Sequence, residues 1–82
     1  MDRVVVYTQT GCKQSDKVKQ LLNSKKVTFI EKDISYDVLL KREMIERSGE
    51  KAITPQVFFN NSHIKSLDAL AEAIDQSDTK AA

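Results

Sequence analysis

Val4-Val5-Val6-Tyr7-Thr8 is a β-branched and aromatic run without polar alternation, and it passes through Gln9-Thr10-Gly11 into Cys12-Lys13-Gln14-Ser15. A run of that kind suits a strand covered on both faces. From Cys12 to Lys25 the chain is rich in Lys, Gln and Asp and sets Val18, Leu21 and Leu22 at helical spacing, which predicts an amphipathic helix starting at Cys12. Val27 to Asp33 reads as a second strand through Val27, Phe29 and Ile30. A helix joining two strands implies a right-handed crossover with the strands parallel.

Working outward, Ser35 is the expected cap of a helix over Asp37 to Ser48, with Leu40, Met44 and Ile45 inward and Gly49 at the exit. Gln56-Val57-Phe58-Phe59, Asn60-Asn61 and Ser62-His63-Ile64 then read as an antiparallel pair around a two-residue turn. Ser66 is an N-cap for a last helix whose stripe is Leu67, Leu70, Ala71 and Ile74. The order βαβαββα predicts an α/β fold, a mixed four-stranded sheet packed by three helices. Phe58 and Phe59 alternate across that sheet, while the charges from Lys41 to Arg47 read as a solvated helix face and His63 as a hairpin surface residue.

The 82 residues suffice for one domain, expected over 1–76, with 77–82 as a flexible tail. Thirteen Lys+Arg nearly cancel twelve Asp+Glu, for a net charge of +1, which argues against a nucleic acid or an anionic membrane as partner. One cysteine rules out an internal disulfide and a cysteine cage for zinc, and His63 has no second ligand at metal spacing. The apolar runs are too short to span a bilayer and the start lacks a signal-peptide core, so the expectation is a soluble monomer in the cytoplasm or another reducing compartment.

Cys12 stands where unpaired helix N–H groups and the helix dipole favour a thiolate. Lys13 and Lys17 add positive charge and Asp16 opposes it, so its pKa is expected below that of an ordinary thiol. Tyr7-Thr8, Gly11-Cys12, Phe29, Arg47-Ser48-Gly49, Thr54-Pro55-Gln56-Val57-Phe58 and His63-Ile64, with Ser66-Leu67-Asp68 opening the last helix, together resemble the glutaredoxins. The resemblance runs from Val4 to about Ala73. It implies a thioredoxin-like fold, a cis bond before Pro55, Cys12 as nucleophile, and glutathione as co-substrate. It further implies that Lys13, Thr54, Pro55, Leu67 and Asp68 receive glutathione, with the Thr54 backbone pairing the cysteinyl part and Asp68 the α-amino group.

Cys12-Lys13-Gln14-Ser15 departs from the dithiol pattern Cys-Pro-Tyr-Cys, which leaves a monothiol route acting on glutathionylated proteins. The usual Lys before the cysteine is Gln9, and the usual Gly-Gly is Lys65-Ser66, so glutathione is expected to bind more weakly than in standard members. Lys51 is a candidate substitute cation. Two other readings remain: a fold kept as a protein-binding or regulatory module, and an iron–sulfur cluster bridged between two chains.

Overall fold

The computed structural model describes residues 3–49 and 53–76; Lys51 and the expected tail at 77–82 lie outside them. Its elements are β1 (Val4–Thr8), α1 (Lys13–Ser24), β2 (Ile30–Asp33), α2 (Val38–Ser48), β3 (Gln56–Phe59), β4 (Ser62–Ile64) and α3 (Leu67–Asp75). They form one four-stranded sheet in the order β2-β1-β3-β4. β1 pairs parallel with β2 and antiparallel with β3, and β3 pairs antiparallel with β4.

Every residue of β1 is buried, as a central strand requires. Alternation along it builds two cores. Val4 and Val6 join Val57 and Phe59 beneath Val18 and Leu22 of α1 and Leu70 and Ile74 of α3. Val5, Tyr7 and Phe58 face the other way, against Ile34 and Met44. The two phenylalanines therefore serve opposite cores. Asn60 and Asn61, at φ 51° and 70°, adopt the left-handed pair that a tight two-residue hairpin needs.

Two boundaries differ from the sequence expectation. The second strand begins at Ile30 rather than Val27, because Val27 is consumed in ending α1. Its N–H donates to the Leu22 carbonyl at 3.0 Å and that of Lys26 to Asn23 at 3.1 Å, with Lys26 left-handed at φ 59°. This is a Schellman ending, sealed by Val27 and Leu22 in the same core. α2 is capped by Asp37, whose carboxylate accepts from the Leu40 N–H at 3.0 Å, and not by Ser35. The Ser35 hydroxyl is already engaged, accepting from the Thr10 N–H at 2.7 Å.

The α2 charges are not uniformly solvated either. Glu43 accepts from the Tyr7 hydroxyl and from Lys32 Nζ at 2.8 Å. Arg47 donates to the Tyr7 oxygen at 2.9 Å and lies over the Phe58 ring, 4.2 Å from its centroid. Tyr7 is fully buried and its hydroxyl must find partners, so it draws these two charges inward. Burial, then the Glu43 carboxylate, raises the Tyr7 pKa above its ordinary value, against Arg47. The hydrogen bond from Lys32, then that from Tyr7, holds Glu43 below the usual carboxylate range.

Candidate active site

Tyr7 pairs with Gln56, so the loop leaving β1 and the segment entering β3 emerge side by side. Cys12 occupies the N-cap of α1 on the first, and Thr54 lies on the second. Ligands of open α/β sheets gather at the carboxyl ends of parallel strands, which is where both loops sit. The Cys12 thiol donates to the Thr54 carbonyl at 3.6 Å, and the Thr54–Pro55 peptide bond is cis.

Cys12 has extended backbone, φ −85° and ψ 109°, which turns its side chain over the first turn of α1 without a capping bond from the thiol. Burial pushes the thiol pKa up, but donation from the Ser15 side chain, from Thr54 and from the N–H groups of Ser15 and Gln14 outweighs it. The net direction is below an ordinary thiol. That direction matches the sequence expectation, and the first-turn N–H groups are among its causes as expected, while the lysine charges are not. Hydrogen bonds from the first helical turn do the lowering, and Lys13 and Lys17 are exposed side chains whose charge water screens.

A network around Asp33 anchors the nucleophile loop. Its carboxylate accepts from the Ser35 N–H at 2.8 Å and the Thr10 hydroxyl at 3.1 Å, and the Ile34 N–H reaches the Thr8 carbonyl at 2.9 Å. The Cys12 N–H closes the turn on the Gln9 carbonyl at 3.1 Å. Gly11, at φ 82°, supplies the left-handed residue in that turn.

The facing segment is held by residues that sequence reasoning set aside. Gln56 is buried and donates through Nε2 to the Ile53 carbonyl at 2.9 Å, while its Oε1 meets His63 Nε2 at 2.6 Å. Since the Gln56 amide donates to Ile53, its oxygen accepts and the His63 ring N–H donates. His63 also stacks on Phe58, its cross-strand partner, with centroids 5.1 Å apart. It is a half-buried brace rather than a surface residue. The available signal was pairing register, which places Gln56, Phe58 and His63 on one face of the sheet.

Beside the thiol opens a cleft of ≈ 280 Å³ whose lining includes Gln14, Thr54, Pro55, Ile64, Lys65 and Leu67. Thr54, Pro55 and Leu67 thus line one cleft. Lys13 and Asp68 are exposed and line no part of it, each one residue from a lining position. The Ser66 hydroxyl is spent capping α3, accepting from the Ala69 N–H at 3.1 Å. A second groove, ≈ 320 Å³, sets Gln9 near Lys41 of α2. Among the described residues, no three His, Cys, Asp or Glu side chains converge to hold a metal ion, and no helix is long and apolar enough to cross a membrane.

A mixed sheet flanked by helices, with a thiol capping the first helix opposite the segment that enters the antiparallel strand, defines a thioredoxin-like protein. Residues 4–64 match the family model described as Glutaredoxin. Glutaredoxin 3 of Escherichia coli (strain K12) is 39% identical over 70 residues, covering 85% of this chain and 83% of that protein. A glutaredoxin from Brucella melitensis, known from its solution structure, superposes with a TM-score of 0.67 at 36% identity over 92% of this chain and 80% of its own. A buckwheat glutaredoxin–glutathione complex shares the fold, with a TM-score of 0.70 at 20% identity over 87% of this chain and 66% of its own. The chain belongs to the glutaredoxin family.

Proposed function

We propose that the protein is a monothiol, glutathione-dependent thiol–disulfide oxidoreductase that removes glutathione from mixed disulfides through Cys12. The observation that carries this reading is the Cys12 sulfur, favoured as thiolate at a helix N-terminus and facing Thr54, in a chain with no second cysteine. The thiolate attacks the glutathionyl sulfur of a protein mixed disulfide, forms a new S–S bond, and expels the protein thiolate, which takes a proton from water. A second glutathione thiolate then attacks the glutathionyl sulfur on Cys12, giving oxidised glutathione and restoring the Cys12 thiolate.

The cleft beside Thr54 and Pro55 is the place for the extended tripeptide, whose cysteinyl backbone pairs with Thr54. The first-turn N–H groups of Leu67 and Asp68 receive the γ-glutamyl carboxylate, and Asp68 its amine. Lys13 stands at the nucleophile's rim. Gln9 leaves the glycyl end without the family's usual cation. Two side chains at Lys65-Ser66 narrow the γ-glutamyl end, so activity stands below that of members with Gly-Gly. An iron–sulfur cluster takes four ligands and this chain offers one thiolate, so a cluster would need a second chain and two glutathiones to complete it.

The test is glutathione-dependent reduction of a small glutathionyl mixed disulfide. Turnover that disappears in Cys12→Ser supports the reading. A rate equal to that of Cys12→Ser would instead favour a binding module.

A further inference from the structure

The approach to α2 and its first turn leave large apolar residues in water. Tyr36, Val38 and Leu39 are 97%, 75% and 74% exposed, while Leu40, Met44 and Ile45 carry the inward face of the helix. A single exposed apolar residue is ordinary, but neighbours exposed together form a patch, and such patches mark interaction surfaces. This one borders the second groove, whose wall includes Gln9, Ile34, Tyr36, Val38 and Lys41.

The groove is continuous with the nucleophile loop. The Gln9 carbonyl accepts the Cys12 N–H at 3.1 Å, and Ser35, also in the wall, accepts the Thr10 N–H at 2.7 Å. It lies on the other face of the sheet from the cleft at Thr54: the groove reaches Ile34 of the core beneath α2, whereas the cleft reaches Val18, Val57 and Leu70 of the core beneath α1 and α3. A glutathionyl mixed disulfide has two arms, and Cys12 stands between two recesses. We infer that the groove beside α2 seats the polypeptide arm, taking an apolar side chain and an acidic one close to the glutathionylated cysteine. This deepens the monothiol reading, with the glutathionyl arm in the cleft, and for the transfer step rests on it.

Each half of that description has a cause in the wall. An apolar side chain of the polypeptide covers Tyr36 and Val38 and removes apolar area from water on both partners. Charge selects its acidic neighbour. Among the described residues no carboxylate pairs with Lys41. The nearby acids are engaged elsewhere: Asp37 accepts from the Leu40 N–H at 3.0 Å, and Asp33 from the Ser35 N–H and the Thr10 hydroxyl. An incoming carboxylate therefore meets an unpaired cation, and an incoming lysine meets a like charge. The chemistry of the step is unchanged: the glutathionyl sulfur passes to Cys12 and the polypeptide leaves as its thiolate.

The experiment follows glutathionyl transfer to Cys12 by stopped flow from peptides that flank a glutathionylated cysteine with Leu and Glu, with Ser and Glu, or with Leu and Lys, in wild type, Val38→Ser and Lys41→Glu. Each result is a ratio of rate constants within one protein, so a general loss of activity cancels. The Leu and Glu peptide is expected to react about tenfold faster than the Ser and Glu peptide and about threefold faster than the Leu and Lys peptide. Val38→Ser shrinks the first ratio, and Lys41→Glu inverts the second. The Leu and Glu peptide with Ser in place of its cysteine is also titrated into isotope-labelled protein, a binding measurement by NMR that needs no transfer. Amide shifts over Tyr36 to Lys41 in a protein that transfers no glutathionyl group keep the groove as a peptide site while removing the proposed function. Ratios near one, ratios that neither substitution changes, or shifts confined to the Thr54 cleft would overturn the inference. So would shifts over Tyr36 to Lys41 that follow protein dilution without peptide, the mark of a second copy on this face.

Discussion

The reactivity of Cys12 depends on groups within one helical turn of it, which gives its titration a direction that can be checked. Its alkylation midpoint lies below about 8.5, the value of a free cysteine, and Lys13→Gln moves it little because that charge is solvated and the lowering comes from hydrogen bonds. A midpoint that tracks Lys13 instead would restore the electrostatic explanation. Gln9→Lys improves the KM for glutathione by no more than about fivefold, the ceiling for an exposed ion pair. Steady-state kinetics at low salt read this. Cys12 was legible because a thiol at a helix start has a residue-type signature, and the Thr54-Pro55 segment only through the family resemblance. Ser15, Gln56 and His63 were not, because a hydroxyl, an amide and an imidazole acquire meaning only from what the fold packs beside them.

At the scale of elements, the termini carry the information that the periodic patterns lack. Asp37→Ala removes the bond to the Leu40 N–H and costs about 1 kcal/mol, whereas Ser35→Ala leaves α2 capped and loosens the Thr10 turn instead. Denaturant unfolding, with Cys12 alkylation as the readout of the loop, separates the two. Gly49→Ala, at φ 70° where nothing would crowd a Cβ, is destabilising by about 1 kcal/mol through backbone conformation alone. The order of strands and helices followed from runs of apolar residues, and their existence was legible for that reason. The late start of β2 was not, since Val27 is equally apolar as a strand residue or as the hydrophobic seal of a helix ending, and only the left-handed Lys26 distinguishes them.

For the whole molecule, two opposed charge networks set the pH window. Glu43 and Asp33 both titrate below the usual carboxylate range, Glu43 through its hydrogen bond from Lys32 and Asp33 through those from Ser35. Their stabilisation is present above that range and is lost as pH falls through their lowered values. Tyr7, raised mainly by burial, contributes stability that is complete below about pH 10 and lost as pH rises through its raised value. Melting temperature against pH is therefore expected to hold a plateau between these limits, with Tyr7→Phe removing the Tyr7 share of the alkaline fall. In the core, Met44 is the fully buried residue through which α2 meets the sheet, and Met44→Ala costs about 2–5 kcal/mol, a large share of the 5–15 typical of a domain.

These networks hold two loops so that the Cys12 sulfur faces the Thr54 segment, and the proposed function is that this single sulfur takes a glutathionyl group and yields it to another thiol. Intact-mass spectrometry of the protein mixed with a glutathionylated peptide, before and after adding reduced glutathione, measures that directly. The expected result is one glutathionyl adduct on Cys12, formed as the peptide is released and removed when glutathione is added. A Cys12 that stays unmodified while a control surface thiol exchanges would contradict the account.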